Sequence, residues 1–221
     1  MWKEPESEFQ FRTQMHVSCV LLLDRSSSMS GKPIDELNKG LAQFRQDLSS
    51  LSEVNKGCID LAVISFGSDV TIDHPFSPAG DFQPSTLMAS GNTAMGQAIN
   101  LAIEETERTK NAYKTQQISY WRPWICCITD GGPNDEGWQA AKTRLREYDD
   151  GKHCVTYCFG TQGYNKQIAQ DIFKRVFELN GTNFSSIFEF LSASLASVRD
   201  SNDGVANSTL PSDIRQVKMG E

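Results

Sequence analysis

The sequence predicts a single α/β domain: a doubly wound, mostly parallel central sheet with helices on both faces and one antiparallel edge strand. Three observations carry this expectation. Strand-like and helix-like patterns alternate from residue 17 to residue 200, as parallel strands joined by right-handed crossovers require. The runs Val17–Leu23 and Ile125–Ile128 are largely apolar rather than alternating, the signature of strands covered on both faces. Each run is followed by an acid, Asp24 or Asp130, and a loop of small residues, and that edge is where open α/β sheets bind their ligands.

The elements follow in order. Residues 1–14 are polar with scattered aromatics and read as an N-terminal extension; residues 15–200 read as the domain, and 201–221 as a tail or loosely docked segment. After the first strand, Pro33 suits a first helical turn, and Ile34, Leu37, Leu41, Phe44 and Leu48 recur at helical spacing to about Ser50. Cys58–Phe66 reads as a strand, Gly67-Ser68-Asp69 as a turn and Val70–Ile72 as its short antiparallel partner. Residues 74–92 hold Pro75, Pro78, Gly80, Pro84 and Gly91 and read as irregular loop, long enough to be a functional candidate. Ser90-Gly91-Asn92-Thr93 leads into an amphipathic helix reaching Lys110 or beyond. Further helices are expected at Glu136–Tyr148, at 168–173 and around Ile187, Leu191, Leu195 and Val198, with strands at Cys154–Phe159 and Arg175–Leu179.

Composition excludes several function classes. The formal net charge is −7, which leaves no basic excess to neutralise phosphates, so neither nucleic acid nor an anionic membrane is expected as partner. The opening residues, Met-Trp-Lys-Glu-Pro-Glu-Ser-Glu, do not read as an export signal, and the expected compartment is the cytoplasm, with six reduced cysteines. Cys126 and Cys127 would face opposite ways in a strand. Cys154 and Cys158 would lie roughly 13 Å apart on one face at ~3.3 Å per residue, too far to share an ion. Buried thiols acting as small hydrophobes are the expectation. His16, His74 and His153 show no metal-type spacing.

The candidate chemistry lies in five residues: Asp24, Ser26, Ser28, Thr93 and Asp130. Two carboxylates balance one divalent cation, and neutral hydroxyls complete its shell without adding charge. Such an ion keeps room for one more anionic ligand. Oxygen-only ligands with few carboxylates favour Mg²⁺, then Mn²⁺, with Ca²⁺ less suited to so compact a shell. An Asp or Glu of a protein partner is the natural last ligand. A Ser- and Asp-rich turn entering a helix uses the same residue types and is the plain structural alternative.

Asp24-x-Ser26-x-Ser28-Met29, Gly91-Asn92-Thr93 and Thr129-Asp130-Gly131, in that order, resemble the metal-ion-dependent adhesion site of von Willebrand factor type A domains. Tyr120-x-Arg122-Pro123-Trp124, Asp130-Gly-x-Pro133-x-Asp135 and the terminal helix from Phe188 to Val198 further resemble the bacterial TerY-like, tellurium-resistance-associated, and YegL-like branch. The resemblance covers about residues 15–200. It implies a Rossmann-like fold, direct metal contacts from Ser26, Ser28 and sometimes Thr93, and contacts from Asp24 and Asp130 through water or directly. It implies protein binding rather than catalysis, with phosphatase or kinase partners in a stress-response or metal-resistance system. One departure is Ser27, where the family often has Gly; a left-handed backbone there would strain it.

Two rivals stand beside this reading. A Mg²⁺-dependent phosphotransfer enzyme would use Asp24 as nucleophile, but the second acid such enzymes place two residues on is Ser26 here. A scaffold whose metal site stays empty is the other. G-x-S-x-G, G-x-x-x-x-G-K-[ST] and G-x-G-x-x-G are all absent. Asp24→Ala or Asp130→Ala is expected to weaken partner binding with little loss of fold.

Overall fold

A computed structural model describes residues 14–198, 204–205 and 208–218. Its sheet holds, among the described residues, seven strands. In chain order these are β1 (Val17–Asp24), β2 (Ile59–Phe66), β3 (Val70–Pro78), β4 (Trp124–Thr129), β5 (Val155–Gly160), β6 (Arg175–Leu179) and β7 (Ile214–Val217). They lie side by side as β3-β2-β1-β4-β5-β6-β7. The pairs β2/β1, β1/β4, β4/β5 and β5/β6 are parallel, while β3 and β7 run antiparallel at the two edges. The chain order reverses between β1 and β4, the switch point at which such sheets open a ligand crevice.

Helices α1 (Lys32–Ser50), α2 (Glu53–Cys58), α3 (Met95–Thr115), α4 (Trp138–Asp150), α5 (Lys166–Ile172) and α6 (Phe184–Ser197) surround the sheet. Strand alternation divides the core into two layers. Leu21, Leu23, Cys126 and Ile128 pack with Leu37, Phe44, Phe188 and Leu191 of α1 and α6. Val20, Leu22, Ile125 and Cys127 pack with Ile99, Ala102, Ile103 and Leu145 of α3 and α4. The apolar runs of β1 and β4 are therefore continuous because both faces are covered. Gly40 sets how closely α1 meets α6: a Cβ there would stand 2.7 Å from the Phe188 ring.

The α/β class and the parallel centre match expectation; the number of antiparallel edges does not. The segment expected as a tail returns to add β7, hydrogen-bonded to β6 from Val176–Val217 to Leu179–Ile214. The edge strand β3 extends to Pro78, because its two prolines fall on an outer strand where a missing N–H costs no ladder bond to a further strand. Helix α2, capped by Ser52 Oγ accepting from the Asn55 N–H (3.3 Å), fills the stretch between the first expected helix and the second expected strand and takes in Cys58, so that β2 starts one residue later than expected. Helix α4 starts at Trp138, after Gly137 in a left-handed conformation, two residues later than expected. The expected 1–14 extension lies outside the described residues except for residue 14, as do parts of the expected tail.

All six thiols are buried. Cys126 and Cys127 point into opposite layers, and burial pushes both thiols well above the usual range, so they are inert packing groups. In the aromatic run, Trp124 is fully buried and its indole N–H donates to the Gly204 carbonyl (2.7 Å), tying the chain after α6 under the start of β4. No helix among the described residues is long and apolar enough to cross a membrane.

Candidate metal centre

Strands β1 and β4 are neighbours in register, Leu23 opposite Ile128, so the chain carries Asp24 and Asp130 off the sheet at one edge. Asp24 is the last residue of β1 and is fully buried. One carboxylate oxygen accepts the Ser26 backbone N–H (2.8 Å) and the other accepts the Thr129 hydroxyl (2.6 Å). Thr129 Oγ1 in turn accepts the Gly131 N–H (3.1 Å), fixing the start of the Asp130 loop. Ser26 Oγ lies 3.0 Å from Ser28 Oγ, and the Ser28 hydroxyl donates to Asp130 Oδ1 at 2.7 Å. Asp24, Ser26, Ser28 and Asp130 thus form one continuous polar chain across the edge.

Neighbouring loops hold this chain in place. The Ser27 N–H donates to the Gly91 carbonyl (3.0 Å) and the Ser90 N–H to the Arg25 carbonyl (2.7 Å), which brings the 90–93 segment alongside. Arg25 turns away from both acids. Its guanidinium donates to Asp69 Oδ1 (2.7 Å) and Ser65 Oγ (3.1 Å), joining the β2–β3 turn to the site loop. Thr93 is buried, and its N–H donates to Asn134 Oδ1 (2.8 Å). Among the described residues no hydrogen bond links its hydroxyl to the other four. The expected set is therefore gathered as four linked side chains plus one residue on the adjoining loop.

Ser27 is not strained. Among the described non-glycine residues only Gln117 and Lys152 have positive φ, and Ser27 opens a 3₁₀ turn, Ser27–Met29. Ser27 thus needs no special backbone.

Burial pushes the Asp24 carboxyl above its usual range, against hydrogen bonds from Ser26 and Thr129, and the nearby Asp130 charge pushes the same way. Burial also pushes Asp130 up, opposed by Ser28. Among the described residues no cationic side chain pairs with either acid. No group of three His, Cys, Asp or Glu side chains among them is placed to hold a metal, so an ion here would depend on hydroxyl oxygens as well as the two acids. The donor set fits a hard divalent cation: oxygen atoms only, two carboxylates, and a local deficit of positive charge. Ser28 is exposed and Asp130 partly so, while Asp24, Ser26 and Thr93 are buried behind them. A cleft of about 660 Å³ lined by Glu189, Phe190, Ala193 and Leu210 shares no residue with this set.

Sequence reasoning missed three contributors. Thr129 is the second anchor of Asp24, and its signal was the hydroxyl directly before the strand-end acid. Asn134 and Asp135 reach back to the start of α3, the latter accepting the Gly96 and Gln97 N–H groups at 3.1 and 2.9 Å. No local pattern announces a cap supplied from 38 residues away.

Comparison with known proteins agrees with this fold. The profile of the von Willebrand factor type A domain matches residues 19–190. Among solved structures, the ArnB paralog VWA2 from Sulfolobus acidocaldarius superposes with a TM-score of 0.55 at 14% identity, covering 82% of this chain and 45% of that one. Proximal thread matrix protein 1 from the mussel byssus, described with a zinc-occupied MIDAS motif, gives 0.56 at 16% identity, covering 82% and 48%. The N-terminal domain of TFIIH p34 gives 0.59 at 11% identity, covering 80% and 97%. At these identities the likeness is one of fold. The chain spans less than half the length of the first two structures. A search of curated proteins gave no match.

Proposed function

We propose a function from one premise: the chain belongs to the von Willebrand factor type A domain family. Its role is to bind a protein partner through a divalent cation held at the sheet edge. The observation that carries this is the polar chain Asp24–Ser26–Ser28–Asp130, whose two acids are both pushed up by burial and lack a cationic partner among the described residues. Ser26, Ser28 and Thr93 would supply hydroxyl oxygens, and Asp24 and Asp130 would supply negative charge directly or through water. When bound, the ion supplies an electrophilic centre for a carboxylate. The partner then offers an Asp or Glu side chain. Mg²⁺ is the preferred ion on ligand chemistry, ahead of Mn²⁺ and Ca²⁺; the zinc reported in the mussel protein shows that such a motif accepts other divalent ions there.

Two further features suit a docking edge. Met88 is 77% exposed, yet Leu87 beside it is held through both its N–H and carbonyl by Asn38 (2.8 and 2.9 Å), and Ser90 is held by Arg25. The backbone on either side of Met88 is thus fixed before contact, so that only the side chain itself has to order on docking. Ser28 and Asp130 also reach the surface, where a partner's side chain could meet the ion.

The finer reading extends the same proposal. The domain spans about residues 15–200. The Tyr120-x-Arg122-Pro123-Trp124 and Asp130-Gly-x-Pro133-x-Asp135 motifs support the TerY-like and YegL-like branch, hence a cytoplasmic bacterial stress or tellurium-resistance-like system with a phosphatase or kinase partner. No catalytic role is assigned, because the position two residues after Asp24 is a serine and leaves phosphotransfer without its second acid. Calorimetric titration of Mg²⁺ and Mn²⁺ into the wild type and Ser26→Ala tests the proposal. Saturable binding by the wild type, weakened in the variant, is expected. No heat with either ion would leave the scaffold reading, and aryl phosphate hydrolysis dependent on Asp24 would favour the enzyme.

A further inference from the structure

The Asn134-Asp135 pair lies outside the five candidate ligands, yet it makes four hydrogen bonds to the segment that carries one of them. The Thr93 N–H donates to Asn134 Oδ1 (2.8 Å), and the Asn134 N–H donates back to the Thr93 carbonyl (3.2 Å). Asp135 accepts the Gly96 N–H through one oxygen (3.1 Å) and the Gln97 N–H through the other (2.9 Å). Helix α3 needs this help. Its own N-cap residue is Ala94, which has no side chain able to accept a backbone N–H, so its first free amides would otherwise face no acceptor. Asp135 fills the place of the missing cap, and its charge also sits favourably at the positive end of a 21-residue helix.

The contact is built to be close. A Cβ at Gly96 would fall 2.8 Å from Asp135 Oδ2 and 2.7 Å from the Trp138 Cα, so only glycine lets the acid and the start of α4 approach α3 this nearly. The opposite side of the same segment is held by the β2–β3 turn. The Asn92 N–H donates to Ser68 Oγ (2.9 Å) and the Ala94 N–H to the Gly67 carbonyl (2.8 Å). Both faces of the Thr93 peptide are therefore fixed, one by the turn and one by the loop that also bears Asp130.

We infer that Asn134 and Asp135 are positioning residues for the cation site: they join the loop carrying Asp130 to the segment carrying Thr93 as one rigid unit and so set where the Thr93 hydroxyl stands relative to the ion. This rests on the proposed metal-binding function and adds to it a mechanism for site geometry. Its consequence is that Thr93, the one candidate ligand without a side-chain bond to the others, is placed by its backbone rather than by the polar chain.

The test is Mn²⁺ titration calorimetry on the intact chain for wild type, Asn134→Ala, Asp135→Asn and Asn134→Asp, with thermal unfolding of each in EDTA. Loss of an outer-shell partner typically weakens metal binding by about 10- to 100-fold. Asn134→Ala and Asp135→Asn are expected to weaken Mn²⁺ binding by about 10-fold or more, and Asn134→Asp, which keeps the acceptor for the Thr93 N–H, to recover most of it. Amide exchange at Thr93 should quicken in Asn134→Ala and at Gly96 and Gln97 in Asp135→Asn, without metal present. A wild-type affinity retained by both weakened variants, even with lower melting temperatures, would reduce the pair to a structural cap and overturn the inference alone. Absence of Mn²⁺ binding by the wild type would overturn the underlying function as well.

Discussion

Replacing Asp24 by Asn separates the two roles that the structure gives this residue. Asp24 is a buried double acceptor, from the Ser26 N–H and the Thr129 hydroxyl, and it is also one of the two negative charges proposed for the ion. An asparagine keeps the shape and one acceptor, directed at the Ser26 N–H, and offers its amide to Thr129 Oγ1. One charge-assisted bond is weakened, which costs on the order of 1 kcal/mol, while a buried charge pushed up by desolvation is removed, which offsets it. Metal-free stability should therefore change by no more than about 1 kcal/mol. Ion binding to the wild type at a hundred times its dissociation constant adds about 2.7 kcal/mol. For a chain of this size that corresponds to roughly 5–11 °C in melting temperature, taking about 2–4 °C per kcal/mol. Denaturant and thermal unfolding with EDTA and with saturating Mg²⁺ provide the assay. The wild type should gain that stability and Asp24→Asn should gain almost none. An equal Mg²⁺ gain in the variant would refute the role of the charge. Asp24→Ala is the wrong probe, contrary to the expectation that it leaves the fold intact. It strands two donors at about 1–3 kcal/mol each, a large part of the roughly 5–15 kcal/mol that holds a domain together.

Three more outcomes follow. Because both acids titrate higher in the folded chain than in the unfolded one, the folded state binds their protons more tightly. Metal-free stability should then rise as pH falls through the folded values toward about 3.8, and Mg²⁺ stabilisation should fade over the same fall; pH-resolved unfolding with and without Mg²⁺ reads both trends. Ser28→Ala removes the donor to Asp130 from an exposed position, so Mg²⁺ affinity should drop about 10-fold or more by calorimetry while metal-free stability stays within about 0.5 kcal/mol. Trp124→Phe deletes the indole bond to the Gly204 carbonyl and part of a buried ring, so it should cost about 1–3 kcal/mol and raise hydrogen exchange around residues 204–205 more than in β1.

What local pattern could reveal was revealed. The cores of β1 and β4 are apolar because helices cover both faces, and that condition writes itself into every residue of each run. The strand-end acids and the two serines lie within a few residues of a strong signal, so the edge of the sheet and four linked side chains of the site followed from position alone. Strand β7 did not, since Ile214 and Val217 are its only apolar residues and its partner, β6, is 35 or more residues back. The prolines of β3 read as loop until the strand is known to be outermost. Thr129, Asn134 and Asp135 act through hydrogen bonds that close only when distant loops meet, and their residue types are equally at home in any turn. The second role of Asp24, holding the Ser26 and Thr129 donors, was hidden for the same reason.

The most direct measurement is anomalous diffraction at the manganese edge from crystals grown with Mn²⁺. One strong peak within coordination distance of Ser26 Oγ and Ser28 Oγ, with Asp24 and Asp130 facing it and an open position toward solvent, is the predicted result. A protein that folds and crystallises in Mn²⁺ with those hydroxyls still bonded only to each other and to Asp130 would contradict the account.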